Sequence, residues 1–177
     1  MGNLVFSRTV EKSDTLQNLN SMNSLSSLSK SSLDREDDDV YKYTTSMTLN
    51  VKRLLEHVNK EEIDLYLEQI KSVGKELRNL LATVDSLIET LPEWSHNEIN
   101  MAHRILSKDF SALIDSMKQA QKYQNTTIQH EFKKKFLKCA HILVVDSKTL
   151  LDTVDQVRLK VLNQQNEQQV LANENEE

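Results

Sequence analysis

The sequence predicts an all-α protein, an antiparallel four-helix bundle with disordered N- and C-terminal flanks. Three observations lead there. Two Gly and one Pro in 177 residues leave too few turn residues for a β sandwich and none for a glycine-rich phosphate loop. Apolar residues recur at spacings of three and four through the middle of the chain. The two ends, by contrast, are polar. Seven of the twelve residues from Ser21 to Ser32 are serine, the acidic run Asp34-Arg35-Glu36-Asp37-Asp38-Asp39 follows, and the last residues are rich in Asn, Gln and Glu. Such ends bury too little apolar surface to offset the entropy of ordering them. The expected segments are therefore a disordered Ser-rich and acidic 1–39, a bundle over 40–163 and a disordered polar tail over 164–177.

Taken in order, Met47, Val51, Leu54 and Val58 set one stripe on a short first helix. The second helix is expected from about Glu61 to Leu91. Its seam is Leu67, Ile70, Leu77, Leu81, Val84, Ile88 and Leu91, with Val73, Leu80 and Leu87 as a flank beside it. Pro92 ends it, because proline cannot continue a helix and restricts the residue before it. Ser95 followed by Glu98 has the spacing of a capping box for the third helix, which carries Ile99, Leu106, Phe110, Leu113, Met117 and Ala120. A break near Asn125 lets Thr126 or Thr127 cap the fourth. That helix carries Ile128, Phe132, Phe136, Ala140, Leu143, Leu150, Val154, Val157 and Val161. Four helices joined by short connections close most simply as an antiparallel bundle.

Composition and motifs exclude most chemistry. No apolar run approaches the ~20 residues that span a bilayer, so stable membrane insertion is not expected. Met1-Gly2 opens a myristoylation pattern, but Phe6 stands where that pattern wants Ser or Thr. A single cysteine rules out a disulfide framework and fits a reducing cytoplasmic setting; Cys139 lies in the apolar run of the fourth helix, as a small core residue does. The five histidines show no HExxH spacing, and the one Glu-x-x-His, Glu93 to His96, follows Pro92 rather than lying within a bundle helix. No catalytic residue, metal site or cofactor is expected. The net charge of −5 is that of a chain not built to coat nucleic acid. It is also unevenly spread: residues 1–40 carry −3, residues 164–177 carry −4, and residues 41–163 carry +2.

The helix faces hold more apolar and basic residues than one core stripe requires. On the fourth helix Lys134, His141, Val145 and Lys148 fall together, away from Phe132, Phe136 and Ala140. Lys71, Lys75 and Arg78 on the second helix, and Ile114 with Lys118 on the third, make a similar set. Two readings fit this pattern. Wide stripes are ordinary core and lysines ordinary solvated faces, or the faces form shallow grooves for amphipathic helices with apolar anchors and acidic flanks.

From Val73 to Leu162 the chain resembles the focal adhesion targeting domain at the C-terminus of focal adhesion kinases. The resemblance is carried by VGKELRNLLATVD (Val73 to Asp85), LPEWSHNEINMAHRILSKDFSALIDSMKQAQ (Leu91 to Gln121) and HEFKKKFLKCAHILVVDSKTLLDTVDQVRLKVL (His130 to Leu162). It includes surface as well as core and covers the last three helices almost without gaps. The first helix, with Val51-Lys52-Arg53-Leu54-Leu55-Glu56, aligns with a small length difference.

The resemblance implies a non-catalytic targeting and scaffold module of integrin signalling, found in the cytoplasm at focal adhesions. Its partners would be the leucine–aspartate (LD) motif helices of paxillin-type adaptors. Carried onto this chain, a groove between helices two and three would use Ile70, Lys71, Gly74, Arg78, Phe110, Ile114 and Lys118. Gly74 would let a partner helix come close. A groove between helices one and four would use Val51, Leu55, Lys134, His141, Val145 and Lys148. The family's phosphorylated tyrosine at the start of helix one points to Tyr41 or Tyr43 as phosphotyrosine positions. Here Lys42-Tyr43-Thr44 follows Tyr41, without the asparagine two residues on that the usual Src-homology adaptor reads. Exchange of helix one would give a weak homodimer. No kinase domain is expected, and the opening methionine points to a kinase-less product that competes with the full-length kinase; as a fragment, the chain would be the targeting end of that enzyme. The alternative reading is a cytoskeletal bundle like the vinculin or α-catenin tails, binding actin or acidic lipid through Lys133, Lys134, Lys135 and Lys138.

Overall fold

Asp38 starts the first helix. In a computed structural model that describes residues 33–174, its carboxylate accepts the Tyr41 N–H at 3.1 Å, an N-cap bond that opens α1 (Asp39–Lys60). The helix is therefore longer than its Met47–Val58 stripe suggests. Residues 34–38, expected within the disordered flank, fold onto the bundle; the stretch 1–32 and residues 175–177 lie outside the described residues. At the other end Glu61 takes a left-handed conformation (φ 61°). Its N–H and that of Glu62 bond back to Val58 and His57, a Schellman closure. Glu61 thus ends α1 rather than starting the next helix, which follows a 3-10 turn over Ile63–Leu65 and becomes α2 (Tyr66–Ile88).

α3 (Glu93–Lys122) begins three residues earlier than the expected Ser95 cap implies. Pro92 is its N-cap, and the Pro92 carbonyl accepts both the N–H and the hydroxyl of Ser95, at 2.9 and 2.7 Å. Ser95 is already inside the helix and fully buried, so the anticipated capping box is not formed. The α3–α4 connection differs as well. Thr126 turns its hydroxyl back to the Tyr123 carbonyl (2.6 Å), and Gln129 reaches back to the N–H of Asn125 (2.9 Å), which sits at φ 60°. α4 (Gln129–Glu174) continues for 46 residues, through most of the tail read as disordered, with the side chains from Leu162 to Gln169 exposed. Good helix formers such as Leu, Gln and Glu favour its continuation there.

The four helices form an up-down-up-down bundle. α1 pairs with α2 and α3 with α4 over long stretches, α1 also lies along α4, and α2 and α3 approach each other at few places. The core residues of α2 are Tyr66, Ile70, Val73, Leu77, Leu80 and Val84, spaced four, three, four, three, four. Val73 and Leu80, assigned to an outer flank from the sequence, are fully buried, while Leu67 from the assigned seam is 50% exposed. For α2 the wide stripe is thus ordinary core. Phe136, 1% exposed, packs beside the Tyr66 ring with centroids 5.6 Å apart.

Asp109 of α3 meets Asp146 of α4 across their interface. Asp109 Oδ2 is shut off from solvent and meets no N–H or O–H donor, so the two carboxyls bond only by sharing a proton. Burial, then Asp146, push the Asp109 carboxyl up to about 6. A raised carboxyl pKa contributes stability below the unfolded value, near 4, which is lost as pH rises through about 6. Urea unfolding should therefore show a protein about 1 kcal/mol more stable at pH 5 than at pH 7.5, the full linkage being reduced because solvent reaches much of this side chain. Asp109→Asn should remove that difference.

Candidate partner-binding grooves

Where α2 and α3 run side by side, Phe110 over Gly74 and His103 beside Asp85 are among the contacts that bridge them. A Cβ on Gly74 would come within 2.7 Å of Phe110 Cζ and 3.2 Å of Cε1. The space that glycine leaves is therefore filled by a side chain of this chain's own α3, not held open for a partner. His103 Nε2 lies 3.3 Å from Asp85 Oδ1, at ion-pair distance but without hydrogen-bond alignment. Elsewhere the two helices meet at few places, and the furrow assigned to them runs along that line.

The residues assigned to this furrow divide by depth. Ile70 is 4% exposed and belongs to the core. Phe110 and Ile114 are half-buried, and Gly74 lies beneath Phe110. Lys71, Arg78 and Lys118 are exposed. Half-buried apolar side chains thus lie among exposed cations on this face.

Along α1 and α4 the division is sharper. Val51 is fully buried and Leu55 7% exposed, so both hold α1 to the bundle and neither presents a free surface. On α4, Lys134 and His141 are exposed, Val145 is 46% exposed, and Lys148 is half-buried. That outward stripe is the one its spacing predicted. α1 is fastened to α4 at both ends of this groove. Lys133 pairs with Glu61 at 3.1 Å at one end. At the other, Arg158 meets Asp38 at 3.1 Å, and Arg35 meets Asp38 and also Asp155, the latter at 3.1 Å.

That second fastening is a cluster of four charges, Arg35, Asp38, Asp155 and Arg158, which the sequence reading did not find. Within it Arg35 and its partner Asp155 are 120 positions apart in the chain, and the acidic run around Asp38 reads as a solvated tail until α4 is beside it. Hydrogen bonding to Asp155, opposed by burial and joined by Asp38, raises the Arg35 pKa. Tyr41 sits beside the cluster, half-buried, with the Arg35 guanidinium 4.9 Å from its ring centroid. Tyr43 is also half-buried, with Lys42 Nζ 5.2 Å from its ring centroid.

The four α4 lysines of the cytoskeletal alternative do not act as one patch. Lys133 is tied to Glu61, Lys135 donates to Gln119 at 2.9 Å, and Lys134 and Lys138 point to solvent. Cys139 is half-buried in α4. Among the described residues no three His, Cys, Asp or Glu side chains come together as a metal site, and no helix is long and apolar enough to cross a membrane.

Compared with known protein families, the chain matches a family model described as the focal adhesion targeting region over residues 29–168. The match takes in α1, α2 and α3 and all but the last turns of α4, about four fifths of the chain.

Proposed function

Since the chain belongs to the focal adhesion targeting family, whose domain directs proteins to focal adhesions, we propose that it is a non-catalytic scaffold module that docks amphipathic LD-motif helices of paxillin-type adaptors in integrin signalling. The observation that carries this reading is the α2–α3 face, where half-buried Phe110 and Ile114 lie among exposed Lys71, Arg78 and Lys118. The α4 stripe of Lys134, His141, Val145 and Lys148 is the second docking candidate, with Val51 and Leu55 as its support from below. A form of the protein without a kinase domain would, in this reading, occupy adaptor sites that a full-length focal adhesion kinase also uses. Tyr41 is the first candidate for phosphorylation; a phosphate there would stand near Arg35 and also near the Asp38 carboxylate.

Titration with an LD-motif peptide tests the assignment. Ile114→Glu places a charge at mid-depth in the furrow and should weaken binding about tenfold or more, with helical content unchanged by circular dichroism. Val145→Glu serves the same purpose on α4; Leu55→Glu does not, because that buried side chain would unfold α1. If wild type binds no LD peptide, or neither variant weakens the binding, the groove assignment is wrong.

A further inference from the structure

A third helix face is left unpartnered, on the side of α3 that adjoins α4. Trp94, Glu98, Met101, Ile105, Lys108 and Ala112 are spaced four, three, four, three, four, the a/d seam of a coiled coil, and all six are exposed. Trp94 is 50%, Met101 60% and Ile105 44% exposed, so the seam holds three of the largest exposed apolar side chains among the described residues. Three α3–α4 pairings share one antiparallel register: Trp94 with Lys160, Asp109 with Asp146, and Gln119 with Lys135. That register sets Ile142 of α4, 37% exposed, level with Ala112.

The spacing of residues along this seam reads the same way from both ends, while the residues themselves are complementary. Turned about a two-fold axis midway between Met101 and Ile105, it meets its own copy with Trp94 against Ala112, Glu98 against Lys108, and Met101 against Ile105. Every layer is thus complementary: large on small, acid on base, apolar on apolar. Antiparallel coiled coils build their layers in this manner, and an isologous interface requires that if one residue contacts another, the reverse contact also holds.

We infer that α3 carries a homodimerisation seam, in which a second copy of this chain packs antiparallel across Met101 and Ile105 and each Trp94 enters the notch beside the partner's Ala112. A partner helix of uniformly acidic flank fits less well, because Glu98 lies within the seam. The patch is small, and Arg104 flanks the two-fold axis, where it approaches its own symmetry mate. The dimer is accordingly weak and forms where the protein is concentrated.

Sedimentation equilibrium of the full chain from micromolar to millimolar concentration tests this. Wild type should show a monomer–dimer equilibrium, accompanied by a blue shift in the emission of Trp94, the chain's one tryptophan. Glu98→Lys and Lys108→Glu, at exposed positions, should each weaken association about tenfold, since each change turns two attractive contacts into two repulsive ones. The double charge swap should restore it, and Arg104→Ala should strengthen it. Zero-length carbodiimide cross-linking should join Glu98 to Lys108 between copies; within one helix those residues are about 15 Å apart and cannot be joined. A monomer at every concentration overturns the inference. So does a dimer that survives both single charge reversals, which would place association on another face or in an exchange of α1. LD-peptide titration of the same charge variants keeps the two proposals separate, because they should bind peptide as wild type does.

Discussion

Replacing Phe136 with alanine is expected to lower the unfolding free energy by about 3–5 kcal/mol, the range for removing a large aromatic side chain from a packed core. Phe136 is 1% exposed and packs against the Tyr66 ring, and the Tyr66 hydroxyl donates a long hydrogen bond of 3.5 Å to the Val58 carbonyl at the end of α1. One side chain therefore supports α4, the start of α2 and the end of α1. It also borders a small existing cavity lined by Val58, Ile63, Tyr66, Ala120 and Lys133, so truncation enlarges a void that the surroundings already fail to fill. That argues for the upper half of the range. Urea unfolding measures it, with Phe136→Leu as the companion that keeps most of the volume and should cost less than half as much. A loss below 2 kcal/mol for alanine would mean that α1 and α2 collapse onto the gap.

Asp38→Ala is the second large effect, about 2–3 kcal/mol, and it should be local. The change removes the N-cap of α1 and leaves Arg35 and Arg158 without one of their two carboxylates. Amide hydrogen exchange should show the first turns of α1, from Val40 to Met47, opening well before α3 and α4. The pH dependence has a defined sign. Burial pushes the Asp38 carboxyl up, but the Tyr41 N–H, Arg35 and Arg158 outweigh it and hold the carboxyl below its ordinary value. Its contribution is therefore complete above the ordinary carboxylate range and is lost as pH falls through the lowered value. Acid should loosen α1 in wild type, and the alanine variant should show less of that dependence. Equal acid sensitivity in both would assign the effect to other carboxylates.

The helices and their order were legible in the sequence because amphipathic spacing is local, but several details depend on neighbours. In α2, two overlapping stripes share Ile70, Leu77 and Val84, and only the presence of α1 decides that Val73 and Leu80 face inward and Leu67 outward. The helix starts were misjudged where two capping residues compete. Ser95 has the composition of a cap, yet Pro92, three residues earlier, already supplies an extended N-cap conformation (φ −61°, ψ 142°) and a carbonyl that accepts from Ser95. Gly74 marked a close approach correctly, but the group that approaches, Phe110, belongs to another helix. Helical spacing found Val145, whereas Val51 and Leu55 came as groove residues from resemblance, which aligns positions without depth; Val51 and Leu55 are buried and Val145 is exposed.

The four-charge cluster also has a mechanical meaning. The chain enters α1 at Asp38 and leaves the packed part of α4 beyond Arg158, at the same end of the bundle. A pull on the two ends would therefore load the α1–α4 contact by peeling rather than by sliding. Peeling concentrates force on one contact at a time, and the first to carry it is Arg35–Asp38–Asp155–Arg158. The resistance of the bundle to tension would then be set by that one charged clasp, however well the core beneath it is packed.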